Sequence, residues 1–156
     1  MLDYWYAEDT DMNRQGFTLM ELMVVIVLIG AMAALAFPRI GDAVTQQSVR
    51  SARAGIVTLV AKARGTAISR GSTTRLVIAN NLLYVEAANP VTGAVQRVGL
   101  TEDFDSRYKV TIQPANDTLV YDGRGIAVEA GQTTYTVSRG TFAAKIVVSA
   151  VGRVIQ

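Results

Sequence analysis

The chain has 156 residues, enough for one modest globular core, with 50% hydrophobic residues, 15 Lys and Arg against 13 Asp and Glu, and neither cysteine nor histidine. Without cysteine there is no disulfide framework, thiolate nucleophile or cysteine-based zinc site; without histidine the commonest general base and transition-metal ligand are gone. Residues 1–13 carry Asp3, Glu8, Asp9 and Asp11 and no base, whereas from Phe17 onward 14 basic residues face 9 acidic ones, a mild surplus that reads first as solvated surface.

The first element is an apolar block. Phe17 to Phe37 runs FTLMELMVVIVLIGAMAALAF, 21 residues with one charge, Glu21, and Pro38 directly after. At about 1.5 Å per residue it spans roughly 30 Å of hydrocarbon. Three readings compete. A secretory signal peptide would use the small residues of Ala34-Leu35-Ala36 and leave a mature start at Phe37, but the apolar run is longer than the roughly 7–15 residues of such a segment, and Glu21 interrupts it. A plain transmembrane anchor leaves a carboxylate among lipid tails, at a cost of about 2.5–3.5 kcal/mol at a helix centre and less near an end, with no partner named. The third reading supplies that partner.

Arg14-Gln15-Gly16-Phe17-Thr18-Leu19-Met20-Glu21 resembles the processing site of type IV prepilins and type II secretion pseudopilins. The resemblance implies a cut by prepilin peptidase between Gly16 and Phe17, N-methylation of the new Phe17 amine, and a mature chain whose fifth residue is Glu21 and whose twenty-second is Pro38. It also implies other pilin or pseudopilin subunits and an inner-membrane assembly platform as partners. The Glu21 carboxylate of one subunit would meet the Phe17 amine of the next, which lowers the burial cost of both charges. No cofactor or metal is implied. The expected organisation is a leader at 1–16, a transmembrane and assembly helix at 17–37, an amphipathic continuation at 38–70 and a β-rich domain at 71–156. Two features depart from the family pattern. The 16-residue leader is acidic, and initiation at Met12 would restore a short basic one, Met12-Asn13-Arg14-Gln15-Gly16. Arg39, Arg50 and Arg53 follow the apolar block where only Arg14 precedes it, a bias opposite to an inner-membrane orientation with the C-terminal domain in the periplasm. The processing motif outweighs that bias, because the peptidase of this family works at the cytoplasmic face.

Beyond Pro38, Val49, Ala52, Ile56, Leu59, Val60, Ala63 and Ala67 recur at steps of three and four, which predicts a core-facing helical stripe. Pro38 and Gly41 are expected to bend or loosen the helix, and Arg70-Gly71-Ser72 to stop it. The texture then turns to β, with strands expected at Arg75–Ala79, Leu82–Ala87, Val95–Leu100, Tyr108–Gln113, Thr118–Tyr121, Thr134–Val137, Lys145–Ser149 and Arg153–Ile155. Asn80-Asn81 suits a tight hairpin, and Asn89-Pro90, Thr92-Gly93, Pro114 to Asp117, Asp122 to Gly125 and Arg139-Gly140 read as turns. The expected fold is α+β: a long N-terminal helix packed on an antiparallel sheet domain of type IV pilin-like form.

Sites for chemistry are sparse. Asp122-Gly123-Arg124-Gly125 lacks phosphate-loop spacing and reads as a β-turn, and Glu102-Asp103-Phe104-Asp105 lacks calcium-loop spacing and reads as a solvated loop. Nothing defines a paired-carboxylate catalytic centre, so no enzyme is expected. The end of the chain, Ile146-Val147-Val148-Ser149-Ala150-Val151-Gly152-Arg153, resembles the closing hairpin of the GspH/FimT group. That resemblance implies a minor pseudopilin, or alternatively a FimT-like minor pilin whose basic Arg139, Lys145 and Arg153 bind DNA or a partner. DNA-uptake members carry a Gly-Arg-x-Arg pattern there, and this chain reads Gly152-Arg153-Val154-Ile155, without the second arginine.

Overall fold

The computed structural model describes residues 16–114, 116–128 and 131–155. The chain divides into two compact units, Met1–Arg39 and Ile40–Gln156. Helix α1, Leu19–Arg70, contributes to both, and its backbone stays helical through Pro38 and Gly41.

In the first unit Thr18 caps the start of α1. The Thr18 hydroxyl accepts the backbone N–H of Glu21 at 3.1 Å, satisfying a donor that a helix start otherwise leaves open, and the Thr18 carbonyl accepts that of Leu22 at 3.1 Å as the first bond of the helix. Among the described residues nothing buries the apolar side chains from Leu19 to Leu35. The most hydropathic 18-residue window of α1 has a mean hydropathy of 2.5 and is 0% buried.

The second unit holds the core. All seven stripe positions of α1, from Val49 to Ala67, are buried. They join the inner faces of two antiparallel sheets in one apolar cluster. Alanines at 52, 63 and 67 let the helix backbone approach the sheets closely, while Ile56, Leu59 and Val60 fill the space between, each contributing about 1.5–3 kcal/mol by burial. α1 ends at Arg70, followed by Gly71 at φ 58, and the Ser72 N–H reaches back to the Ala67 carbonyl.

The first sheet contains β1 (Thr74–Ala79), β2 (Leu82–Ala88), β3 (Val95–Arg97), β4 (Glu102–Asp103) and β6 (Asn116–Tyr121), in the order β3-β2-β1-β6 with β4 also against β2. The second contains β5 (Thr111–Gln113), β7 (Thr133–Arg139), β8 (Phe142–Val148) and β9 (Val154–Ile155), in that order. Asn80 and Asn81, at φ 48 and 67, make the expected turn, setting the register Ala79↔Leu82. Asn81 also ties the sheets together: its side-chain oxygen accepts the Ile112 N–H of β5 at 2.9 Å.

The structure corrects three expectations. Glu102 to Asp105 is no loop: Glu102 and Asp103 pair with Leu83 and Leu82, and Asp103 then caps a short helix, α2 (Phe104–Tyr108), accepting both the backbone N–H and the hydroxyl of Ser106. Tyr108 therefore closes a helix instead of opening a strand, and the strand begins only at Thr111. The physical reason is Phe104, fully buried against Gly55 of α1, a contact between residues 49 positions apart that no local pattern announces. Asn116 and Asp117 likewise belong to β6 and not to a turn.

Candidate assembly site and closing hairpin

Gly16 and Phe17 lie just outside the start of α1; Arg14, Gln15 and the rest of the leader fall outside the described residues, as does any choice between Met1 and Met12 as the start. A side chain at Gly16 would meet nothing within 4 Å, so the backbone is open to a protease. Phe17 is 77% exposed.

Glu21 is the third residue of the helix, where a negative charge is favoured by the helix dipole. Thr18-Leu19-Met20-Glu21 has the Thr-x-x-Glu spacing of a capping box, a signal present in the sequence that the processing motif overshadowed. Only half the box is formed: Thr18 accepts the Glu21 N–H, while among the described residues the Glu21 carboxylate has no hydrogen bond or ion pair. It stands beside exposed Leu22, Val24 and Val25, a carboxyl side chain on an apolar helix. Pro38 lies within α1, one residue before the unit boundary.

The three basic residues of the C-terminal strands do not form one patch. Arg139 follows the inward parity of Tyr135 and Val137 in β7, and its guanidinium donates to the Ser48 hydroxyl at 2.7 Å and the Tyr108 carbonyl at 3.2 Å, joining α1, α2 and β7. Lys145 alternates with buried Ile146 and Ala144's inward neighbours and is exposed on the outer face of β8. Arg153 is exposed at the turn between β8 and β9.

That turn is built on a buried tyrosine. The Tyr121 hydroxyl donates to the Gly152 carbonyl at 3.0 Å, and burial pushes the phenol up to about 12 despite the opposing charge of Arg64. A side chain at Gly152 would collide with the Tyr121 ring and stand 3.2 Å from Ala127, and its φ is 78. The glycine of the closing hairpin is thus required twice, by backbone conformation and by the ring beneath it. A second carboxylate device holds the Asp122 to Gly125 turn: Asp122 accepts the N–H groups of Ile126 and Arg124 and pairs with the Arg124 side chain at 3.0 Å, interactions that hold its carboxyl below the usual range. No group of His, Cys, Asp and Glu suited to a metal occurs among the described residues.

Residues 52–152 match the family described as Type II transport protein GspH, and residues 11–37 match the prokaryotic N-terminal methylation motif. The chain belongs to the GspH family. The GspH match covers the α1 core stripe from Ala52 to Ala67, strands β1 to β8 and Gly152 above Tyr121, and the methylation motif covers Gly16, Phe17 and Glu21. This GspH-family chain is 28% identical over 154 residues to the pilin-like protein PilA1 of Thermus thermophilus, covering 91% of this chain and 97% of that one. Its fold matches the crystal structure of the type IV minor pilin FimU of Pseudomonas aeruginosa with a TM-score of 0.57 at 15% identity, over 70% of this chain and 87% of that chain. The family is one of structural pilin-type subunits.

Proposed function

We propose that this chain is a minor pseudopilin: a subunit trimmed by prepilin peptidase between Gly16 and Phe17, methylated at the Phe17 amine, held in the inner membrane with its C-terminal unit in the periplasm, and built into a type II secretion pseudopilus by the membrane assembly platform. One observation carries the reading. The apolar N-terminal stretch of α1, exposed among the described residues, bears at the third position of the helix a carboxylate with no partner there. Lipid covers the apolar surface before assembly and neighbouring helices cover it afterwards; the freed amine of an adjacent Phe17 gives Glu21 its counter-charge.

Replacing Glu21 with alanine tests this. Membrane insertion should persist, since the substitution only makes the span more apolar, whereas incorporation into sheared filaments should fall at least tenfold. Normal incorporation of the variant would remove the pairing from the account.

A type IV pilus is the second reading, favoured by the minor-pilin fold match and the pilin-like relative. Deletion separates the two: loss of exported proteins indicates a secretion pseudopilus, and loss of surface pili the alternative. DNA capture by Arg139, Lys145 and Arg153 draws less support, because the half-buried Arg139 is tied to Ser48 and Tyr108 and Lys145 stands on the opposite face of its sheet.

A further inference from the structure

A groove runs between α1 and the closing hairpin within the second unit. Two cavities, of about 520 and 190 Å³, share Val57 and Val154 as lining and together follow one face of α1 from position 50 to position 64, roughly 21 Å at helical rise. Its opposite wall is the chain from Gly152 to Val154, which leads into β9, the two-residue edge strand of its sheet; β9 pairs with β8 through Val147↔Ile155 and Val148↔Val154 and with nothing else among the described residues.

The charge of this groove is one-sided. Arg50, Arg53, Arg64 and Arg153 line it, and among the described residues no carboxylate does and none of the four forms an ion pair. The Nε of Arg53 is buried without a hydrogen-bond partner, while the Nε of Arg64 is fixed on the Gly125 carbonyl at 3.0 Å, which orients that guanidinium at the far end. A buried, unpartnered guanidinium donor beside an aliphatic floor of Ala54, Val57, Val60 and Val154 is unfavourable unless an anion meets it.

We infer that this groove docks an extended peptide segment of a neighbouring protein that alternates acidic and aliphatic side chains and adds as a strand to the open edge of β9. An extended chain rises about 3.3 Å per residue, so roughly six residues fill the groove, with side chains on one face against the valines and carboxylates at the arginines. A nucleic acid fits less well: the lining has no aromatic side chain on which a base could stack, and its floor is apolar where a phosphate backbone needs donors. The inference deepens the subunit reading by assigning the side of the periplasmic unit that meets a neighbour.

The test uses the full processed chain in detergent micelles. Fluorescence anisotropy is followed with three labelled probes: a seven-residue peptide alternating glutamate and valine, the same peptide with lysine for glutamate, and a dodecamer of deoxythymidylate. The acidic peptide should bind saturably and the other two should not. The double variant R50Q/R53Q should weaken binding at least tenfold, and Val57→Glu, which places a carboxylate on the floor, should do the same, while Lys145→Gln leaves it unchanged. Thermal melts of each variant establish that it is folded; should R50Q/R53Q fail to fold, Val57→Glu decides. Equal binding of the lysine peptide, tighter binding of the oligonucleotide, or an acidic-peptide affinity indifferent to both variants overturns the proposal. Processing at Gly16 and filament incorporation are measured on the same preparations: a processed, incorporated chain that ignores the acidic peptide sinks the groove alone, and an unprocessed chain that binds it sinks the subunit reading alone.

Discussion

Replacing Gly152 with alanine should destabilise the second unit by about 3 kcal/mol. Two effects add. A non-glycine residue at φ 78 costs about 1–2 kcal/mol in backbone strain, and the new Cβ lands on the Tyr121 ring, where forced repacking of a filled core costs about 1–3 kcal/mol. For a unit of this size the sum lowers the melting temperature by about 10–15 °C. The one tryptophan, Trp5, precedes the expected cleavage point, so the transition in processed protein is best followed by near-ultraviolet dichroism of Tyr84, Tyr108, Tyr121 and Tyr135. A double-mutant cycle separates the two effects. With Tyr121→Ala already present the ring is gone, and adding Gly152→Ala should then cost only the strain, about 1–2 kcal/mol. An unchanged melting temperature, or the same penalty in both backgrounds, would refute the argument that the tyrosine dictates the glycine.

Tyr121→Phe removes the buried bond to the Gly152 carbonyl and should cost about 1–2 kcal/mol in urea denaturation, with an unchanged slope. Arg139→Gln breaks the links to Ser48 and Tyr108 and should cost about 1.5–3 kcal/mol by the same measurement; retention of full stability would show that the arginine is free for another role. The raised phenol of Tyr121 stabilises the fold fully below about pH 10, the unfolded value, and that contribution is lost as pH rises towards 12, so Tyr121 should ionise in an absorbance titration together with unfolding. Asp122 and Asp103 have the opposite sign: their depressed carboxyl values contribute stability above about pH 4 that disappears as pH falls through the folded values, and a D103N/D122N variant should show a flatter acid limb.

Much of this was written in the chain where one physical rule dominates. The α1 stripe was legible because burying one face of a helix forces a 3.6-residue period over many turns, and every position from Val49 to Ala67 obeys it. The Asn80-Asn81 turn was legible because few residues accept positive φ. Helix α2 was not, since five residues hold little more than one turn and its stability comes from the Asp103 cap and Phe104 packing on Gly55. The division into two sheets was hidden too: strand partners such as β1 with β6 are set by long-range fit, which alternation along a strand does not encode. At the N-terminus the processing pattern named Gly16, Phe17 and Glu21 from sequence, while the Thr-x-x-Glu spacing that marks the Thr18 cap lay inside that same pattern and became evident from the bond between Thr18 and the Glu21 N–H. Among the basic residues, position on a strand did not reveal which side chain faced inward, and Arg139 proved to be tied to Ser48 and Tyr108.

Intact-mass analysis of the protein extracted from native membranes tests the central claim most directly. The account predicts a chain beginning at Phe17 and carrying one added methyl group on its amine. A chain that keeps residues through Gly16, or one that begins at Phe37 with the apolar helix removed, would contradict it.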